Sequence, residues 1–239
     1  MILTAHQPSY MPWLGLFEKI SRSDVYCVFN EVQYTSKDFI NRNRIKTNSG
    51  VQWLTVPVLA KGHRARKISE IEILQNGWAI KQLKTIKMAY ARAPFIEKYI
   101  DKIEEIFLFT QWSSLQELNY EWLKFGLHFF KLNPEIVFAS DFHFKGAKSD
   151  LVLDMCKTLG ADRYIFGAHG VEYANIESFS KNEIEVEFQD FLHPTYNQIH
   201  GEFVSHLSFI DYMLNVGPSG RDIFKQSQMK GNNAKIEIQ

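Results

Sequence analysis

Two stretches of this sequence hold the residue types that chemistry needs. The first is His6-Gln7-Pro8-Ser9-Tyr10-Met11-Pro12-Trp13-Leu14-Gly15, with Lys19 about one helical turn further on. Two prolines stiffen the backbone, and the polar side chains follow directly on the apolar run Ile2 to Ala5, so a rigid loop can hold them at fixed angles to a ligand. An imidazole that titrates near neutrality can act as a general base or as a donor to phosphate, with Gln7 as a neutral orienting group. His6 and Gln7 are therefore the candidate catalytic pair, and Tyr10, Trp13 and Lys19 the candidate ligand contacts beside them. The competing reading is a structural loop in which His6 only bonds a backbone carbonyl.

The second stretch is basic: Lys37, Arg42, Arg44, Lys46, Lys61, Arg64, Arg66 and Lys67, offset only by Asp38. The whole chain is neutral, with 27 Lys+Arg against 27 Asp+Glu, so this local excess calls for an anionic partner. Asn41-Arg42-Asn43-Arg44 supplies two forked cations and two amides, which suit phosphate or carboxylate groups. Without wider basicity the anion should be small, a nucleotide diphosphate rather than nucleic acid or an anionic membrane. Asn41, Arg42, Asn43, Arg44 and Lys46 are the expected anion contacts, and Trp53 or Tyr10 would cover the base or sugar. A solvated charged loop is the plainer alternative.

Two smaller clusters complete the inventory. Gly167-Ala168-His169-Gly170 follows an apolar run; its glycines admit a ligand close to the backbone and its amides can hold an anion, which selects Gly167 and His169. In His193-Pro194-Thr195-Tyr196-Asn197-Gln198, Tyr196 and Gln198 can bond sugar hydroxyls or equally stitch a loop to the core. The eight histidines form no H-E-x-x-H and no paired cysteines accompany them, so no metal site is expected. The spacings of a dinucleotide fingerprint, a P-loop and a serine-hydrolase elbow are all missing.

These residues need a scaffold. At 239 residues and 45% hydrophobic, the chain can bury a sizeable core, which excludes disorder and a disulfide-stapled miniprotein. Ile2 to Ala5, Leu14 to Ile20 and Val25 to Phe29 read as strand, helix and strand, a parallel βαβ unit whose ligand edge is the carboxyl end of its strands. Val51 to Val58 and Lys67 to Leu74 are further strand candidates. Three helices are expected over Trp78 to Tyr90, from Pro94 to about Phe107, and over Leu115 to Phe130 behind a Ser113–Gln116 capping box. The aromatic stripe Trp122, Phe125 and Phe129 reads as core rather than as a cofactor box.

Ile136 to Ala139, Leu151 to Leu159 and Arg163 to Phe166 make a second βαβ passage, Glu183 to Phe188 an edge strand, and Leu207 to Leu214 a last helix before Gly217-Pro218. The expected fold is α/β, a mostly parallel Rossmann-like sheet with a helical middle segment over about 76–132. Residues 1–224 form one domain and 225–239 a polar tail. Cys27 and Cys156 read as small buried hydrophobes in a reducing compartment. The first residues lack a basic, apolar leader and no apolar run approaches the roughly 20 residues that cross a bilayer, so a cytoplasmic protein without membrane insertion is expected.

With those residues in view, the chain resembles the WbqC-like family of bacterial O-antigen and surface-polysaccharide gene clusters. The resemblance is carried by His6-Gln7-Pro8, Tyr10, Pro12-Trp13, Gly15 and Lys19; by Val32-Gln33, Asn41 to Lys46 and Trp53 to Pro57; and by Trp78. It continues through Lys148-Ser149-Asp150, Gly160-Ala161-Asp162, Tyr164, Gly167, Pro194 to Gln198, Leu207-Ser208, Asp211 and Asn215 to Gly217. It implies work on a nucleotide-linked sugar, with acyl or aminoacyl transfer from an activated donor to an amino sugar as the leading chemistry, and a homo-oligomer is compatible with it. A more distant likeness, strand then Gln7-Pro8 and Gly15 opening a helix, points to nucleotidyltransferases and adenylate-forming ligases. Those would require ATP and magnesium, and their His-x-Gly-His signature is absent here. A non-catalytic pathway-binding protein is the third possibility.

Overall fold

The computed structural model describes residues 1–59 and 66–224. The expected tail over 225–239, and Lys61 and Arg64 of the basic stretch, lie outside the described residues. Five strands make the main sheet: β1 (Ile2–His6), β2 (Val25–Val28), β5 (Glu135–Phe138), β6 (Arg163–Phe166) and β7 (Glu185–Phe188). All pair in parallel, in the order β5-β2-β1-β6-β7. The chain thus winds outward from β1 in one direction through β2 to β5, then restarts on the other side of β1 with β6 and β7. This is a doubly wound, Rossmann-like α/β arrangement.

Alternation along the strands feeds two cores, one on each face. On β2, Val25 and Cys27 face a smaller cluster with Val152, Met155 and Cys156 of α5 (Ser149–Leu159), whereas Tyr26 and Val28 face the larger one. That larger core takes in α1 (Leu14–Ser21), α2 (Trp78–Ala89), α3 (Ile96–Leu108), α4 (Leu115–Phe130) and α7 (Phe209–Val216). A short α6 (Ile176–Ser180) joins β6 to β7 on the smaller-core side through Phe179. Trp122, Phe125 and Phe129 are buried in the larger core, as their helical spacing implies. Both cysteines are buried free thiols, and burial pushes each up to about 12, so neither is a ready nucleophile at neutral pH.

Several expectations need correction. Arg42–Thr47 is a strand, β3, and not a loop: it pairs antiparallel with β4 (Gly50–Thr55) across a turn closed by Gly50 at φ 104°. The residues from Lys67 to Leu74 form no strand. Glu70 closes a capping box on the Lys67 amide and starts a 3-10 turn, and beyond it Glu72 and Ile73 make only isolated bridges to Ser114 and Val58. The cap of α4 is Ser114, whose hydroxyl accepts from the Glu117 amide, one residue beyond the expected box. Pro94 lies two residues ahead of α3 instead of opening it. Among the described residues no helix is long and apolar enough to cross a membrane.

Gly15 shows how the first loop is shaped. Its backbone lies under the Trp13 indole so closely that a Cβ there would fall inside the ring. Gly15→Ala should therefore destabilise the fold by about 1–3 kcal/mol through displacement of the indole. Urea denaturation checks this; an unchanged midpoint would show that Trp13 moves freely.

Candidate functional site

The winding reverses between β1 and β6, and helical connections leave that point of a doubly wound sheet open at the carboxyl ends of the strands. β1 ends on His6 there, and the register Thr4↔Ile165, continued by two residues, sets His6 beside Gly167. On the other side His6 pairs with Val28, and its carbonyl accepts from the Phe29 amide. The His6 loop and the Gly167–Gly170 turn, more than 150 residues apart in the chain, therefore meet at the switch point. The turn itself is a 3-10 helix in which the Gly170 amide donates to the Gly167 carbonyl.

His6 Nδ1 lies 2.7 Å from the Gln7 carbonyl. A carbonyl can only accept, so Nδ1 carries the hydrogen and Nε2 presents its lone pair. Burial, followed by the nearby Lys19 ammonium, pushes the imidazole down to about 4, while the Gln7 carbonyl and Asp38 oppose the shift. His6 is thus a neutral acceptor at physiological pH. Lys19 is buried on α1 and donates to the Ala5 carbonyl at 3.0 Å.

The basic stretch joins this loop directly. Tyr10 N donates to the Phe39 carbonyl at 2.9 Å, and Asn43 Nδ2 donates to the Tyr10 and Met11 carbonyls at 3.1 and 2.8 Å. On the outer face of the hairpin the Arg42 guanidinium stacks on the Trp53 indole, 4.1 Å from the ring centre, with Arg44 5.6 Å from the same centre. Phe39 packs on Trp53 with ring centres 5.6 Å apart, and both rings are about two-fifths exposed. Arg42 donates to the Lys37 carbonyl and Arg44 to the His206 carbonyl. The Nε atoms of both are buried without an acceptor, and among the described residues no carboxylate lies within 4 Å of either guanidinium. Two guanidinium forks with no carboxylate partner among the described residues thus lie on an aromatic plate, a combination whose chemistry suits an anion.

Other expected contacts serve the interior. The Tyr10 ring is fully buried against Trp122, and its hydroxyl donates to Gln82 Oε1 at 2.7 Å, so it cannot cover a ligand. Asn41 and Asn43 are buried too, Asn41 donating to the Val56 carbonyl at 2.8 Å. Lys46 is buried and its ammonium is spent on Gln198 Oε1 at 2.9 Å and on the Gly201 and Glu202 carbonyls. Tyr196 and Gln198 turn inward as well, and both donate to Asp211 Oδ2 at 2.8 Å. His169, within the turn, points into solvent beside Glu172 at 2.8 Å. Trp13 stays partly exposed, stacked on His206 with ring centres 5.0 Å apart.

Asp211 is the hub of that interior network and was not among the expected site residues. Its carboxylate is fully buried on α7 and also accepts from the Tyr90 hydroxyl at 2.7 Å. Burial raises its pKa, and the bonds from Tyr90, Tyr196 and Gln198 and the Lys46 charge work against that rise. Asn30, fully buried at the end of β2, was missed as well: its amide bridges Gln116 Oε1 at the start of α4 and Ser140 Oγ just past β5. It ties the carboxyl edge together. A cavity of about 10 Å³, room for roughly one water, lies under the proline loop between Pro8, Ser9, Leu16, Gln116 and Asn119. It faces α4 and has no arginine in its lining.

Fold and site together define a doubly wound α/β protein with a polar switch point and a separate arginine–tryptophan platform. The WbqC-like protein family model matches residues 7–223, and the chain belongs to that family. It is 30% identical over 220 residues to the uncharacterized protein Rv1507c of Mycobacterium tuberculosis, across 92% of this chain and 95% of that protein. No solved structure matches the chain.

The Asp211 network makes a graded prediction. Asp211→Ala strips the acceptor from two buried hydroxyls and the counter-charge from Lys46, and should destabilise the fold by about 3–5 kcal/mol. Tyr196→Phe removes one bond and should cost about 1 kcal/mol. Equilibrium denaturation ranks the two; equal effects would show that Asp211 is not the hub.

Proposed function

We propose that this chain is a transferase of cell-surface polysaccharide synthesis that moves an acyl or aminoacyl group onto the amine of a nucleotide-linked sugar. The observation that carries the reading is the pair of uncompensated guanidiniums on Trp53, joined to the His6 loop through the segment from Lys37 to Phe39. A diphosphate would supply the counter-charge that Arg42 and Arg44 lack among the described residues, and the exposed Trp53 and Phe39 rings suit a base or sugar face. The ligand then runs from the platform toward the switch point, where His6 Nε2 faces its reactive end.

The chemistry follows from the tautomer. As the sugar amine attacks the acyl carbon of an activated donor, the new C–N bond forms and the amine proton passes to His6 Nε2. The bond from the acyl carbon to its leaving group then breaks, and the leaving group departs with its electron pair. Amides at the start of the Gly167 turn suit the oxyanion. Gln7 holds the imidazole through its carbonyl.

A second reading, nucleotidyl transfer, draws on the passage from β1 through Gln7-Pro8 into α1, which opens at the switch point. Metal-dependent release of pyrophosphate from ATP or CTP separates it from acyl transfer.

Thermal-shift titration with nucleotides, nucleotide sugars and acyl donors tests the assignment, because a bound ligand raises the melting temperature by mass action. Arg42→Ala should weaken nucleotide-sugar binding about tenfold or more, while His6→Gln should leave binding near parental and cut turnover by about 10²–10⁴. Parental binding and turnover in both variants would refute the proposal. The acid limb of kcat/KM gives a separate check. A base held at about 4 stays free well below the usual histidine range, so beyond the step set by protonation of the sugar amine itself no further loss is expected from His6 as pH drops through about 6.5.

A further inference from the structure

We propose that Lys19 is a positioning residue for His6: its buried ammonium holds the carbonyl that precedes the imidazole and opposes a second positive charge beside it. The inference rests on the reading of His6 as the base and adds the group that keeps that base in working form.

Lys19 sits in the second half of α1, 2% exposed, with Nζ 3.0 Å from the Ala5 carbonyl. Ala5 is the residue before His6 on the central strand, so the contact pins the backbone from which the imidazole hangs. Among the described residues no carboxylate lies within 4 Å of this ammonium. Its neighbour Glu18 is engaged elsewhere, with Arg22 at 3.4 Å and with Gln189 Nε2 at 2.6 Å. The Glu18 charge favours the ammonium, but burial outweighs it, so the charge is held at a cost that an apolar side chain of similar volume would not carry. Packing alone does not call for a lysine here; the bond to the Ala5 carbonyl, with the charge it brings near His6, gives it a role.

The surroundings of His6 leave Lys19 as the cation acting on it. β2 contributes Val28 and Phe29 and the β6 side contributes Gly167, none of which titrates. Asp38, from the segment before β3, acts in the opposite sense, and the Gln7 carbonyl takes the Nδ1 hydrogen. Burial lowers Lys19 itself to about 8, so it remains charged across the range in which a histidine titrates.

Histidine Cε1–H resonances of the full chain, followed by NMR from pH 3.5 to 8.5, test the proposal without any substrate. In the parent, His6 should titrate well below the ordinary histidine value of 6.5. Lys19→Met and Lys19→Gln should each raise the His6 midpoint by at least about half a pH unit, and Lys19→Arg, which keeps the charge, should restore the parental value. Lys19→Gln keeps a donor for Ala5 and decides the matter if Lys19→Met fails to fold. A parental His6 that titrates at the ordinary histidine value of 6.5, or a folded Lys19→Gln with an unchanged midpoint, overturns the proposal. Failure of every nucleotide sugar to bind or react would instead sink the functional reading and leave these midpoints untouched.

Discussion

The reversal of winding at β1 is the constraint on which the rest of the molecule depends. A parallel strand in the middle of such a sheet is buried on both faces: Leu3 and Thr4 are fully buried, and the Thr4 hydroxyl donates to the Ile165 carbonyl. Polar groups can gather only where the strand ends. His6 stands at that end, with β2 on one side and the Gly167 turn on the other, so its partial burial and its neutrality share one origin. The backbone that holds it upright also withholds water from it.

The sheet was legible in the sequence because its strands are short apolar runs bounded by turn residues and separated by helical periods. That the ends of β1 and β6 lie side by side could not be read from the sequence, since nothing local encodes strand order. The hairpin left a subtler trace. Arg42, Arg44 and Lys46 recur at every second position, with Asn43 and Ile45 buried between them, which is the period of a strand and not of a solvated loop. The turn at Asn48-Ser49-Gly50 supported the same reading. Charge density masked the alternation.

Residue type was a poor guide to whether a polar side chain faces a ligand or the interior. Tyr10, Lys46, Tyr196 and Gln198 all carry groups suited to recognition, and all are consumed by internal partners. For Lys46, Tyr196 and Gln198 the common element is Asp211, whose buried carboxylate takes donors from the C-cap of α2 and from the segment between β7 and α7. One aspartate on a helix that reads as apolar thus recruits residues more than a hundred positions apart. Arg42, Arg44 and Trp53 remain outward because the hairpin turns its opposite face, through Asn43 and Ile45, to the core.

The late position of β6 in the chain has a consequence for biosynthesis. β1 finds its first neighbour within 25 residues, yet its other edge waits for Arg163–Phe166, and the amino-terminal ammonium waits for Asp162. A chain emerging from the ribosome therefore carries its central strand with one bare edge until two-thirds of the protein has been made. Closure of the sheet depends on contacts far apart in sequence, which folds slowly and leaves an adhesive edge open to other nascent chains. Shielding by a chaperone in that interval would matter more for this protein than for one whose central strand is completed early.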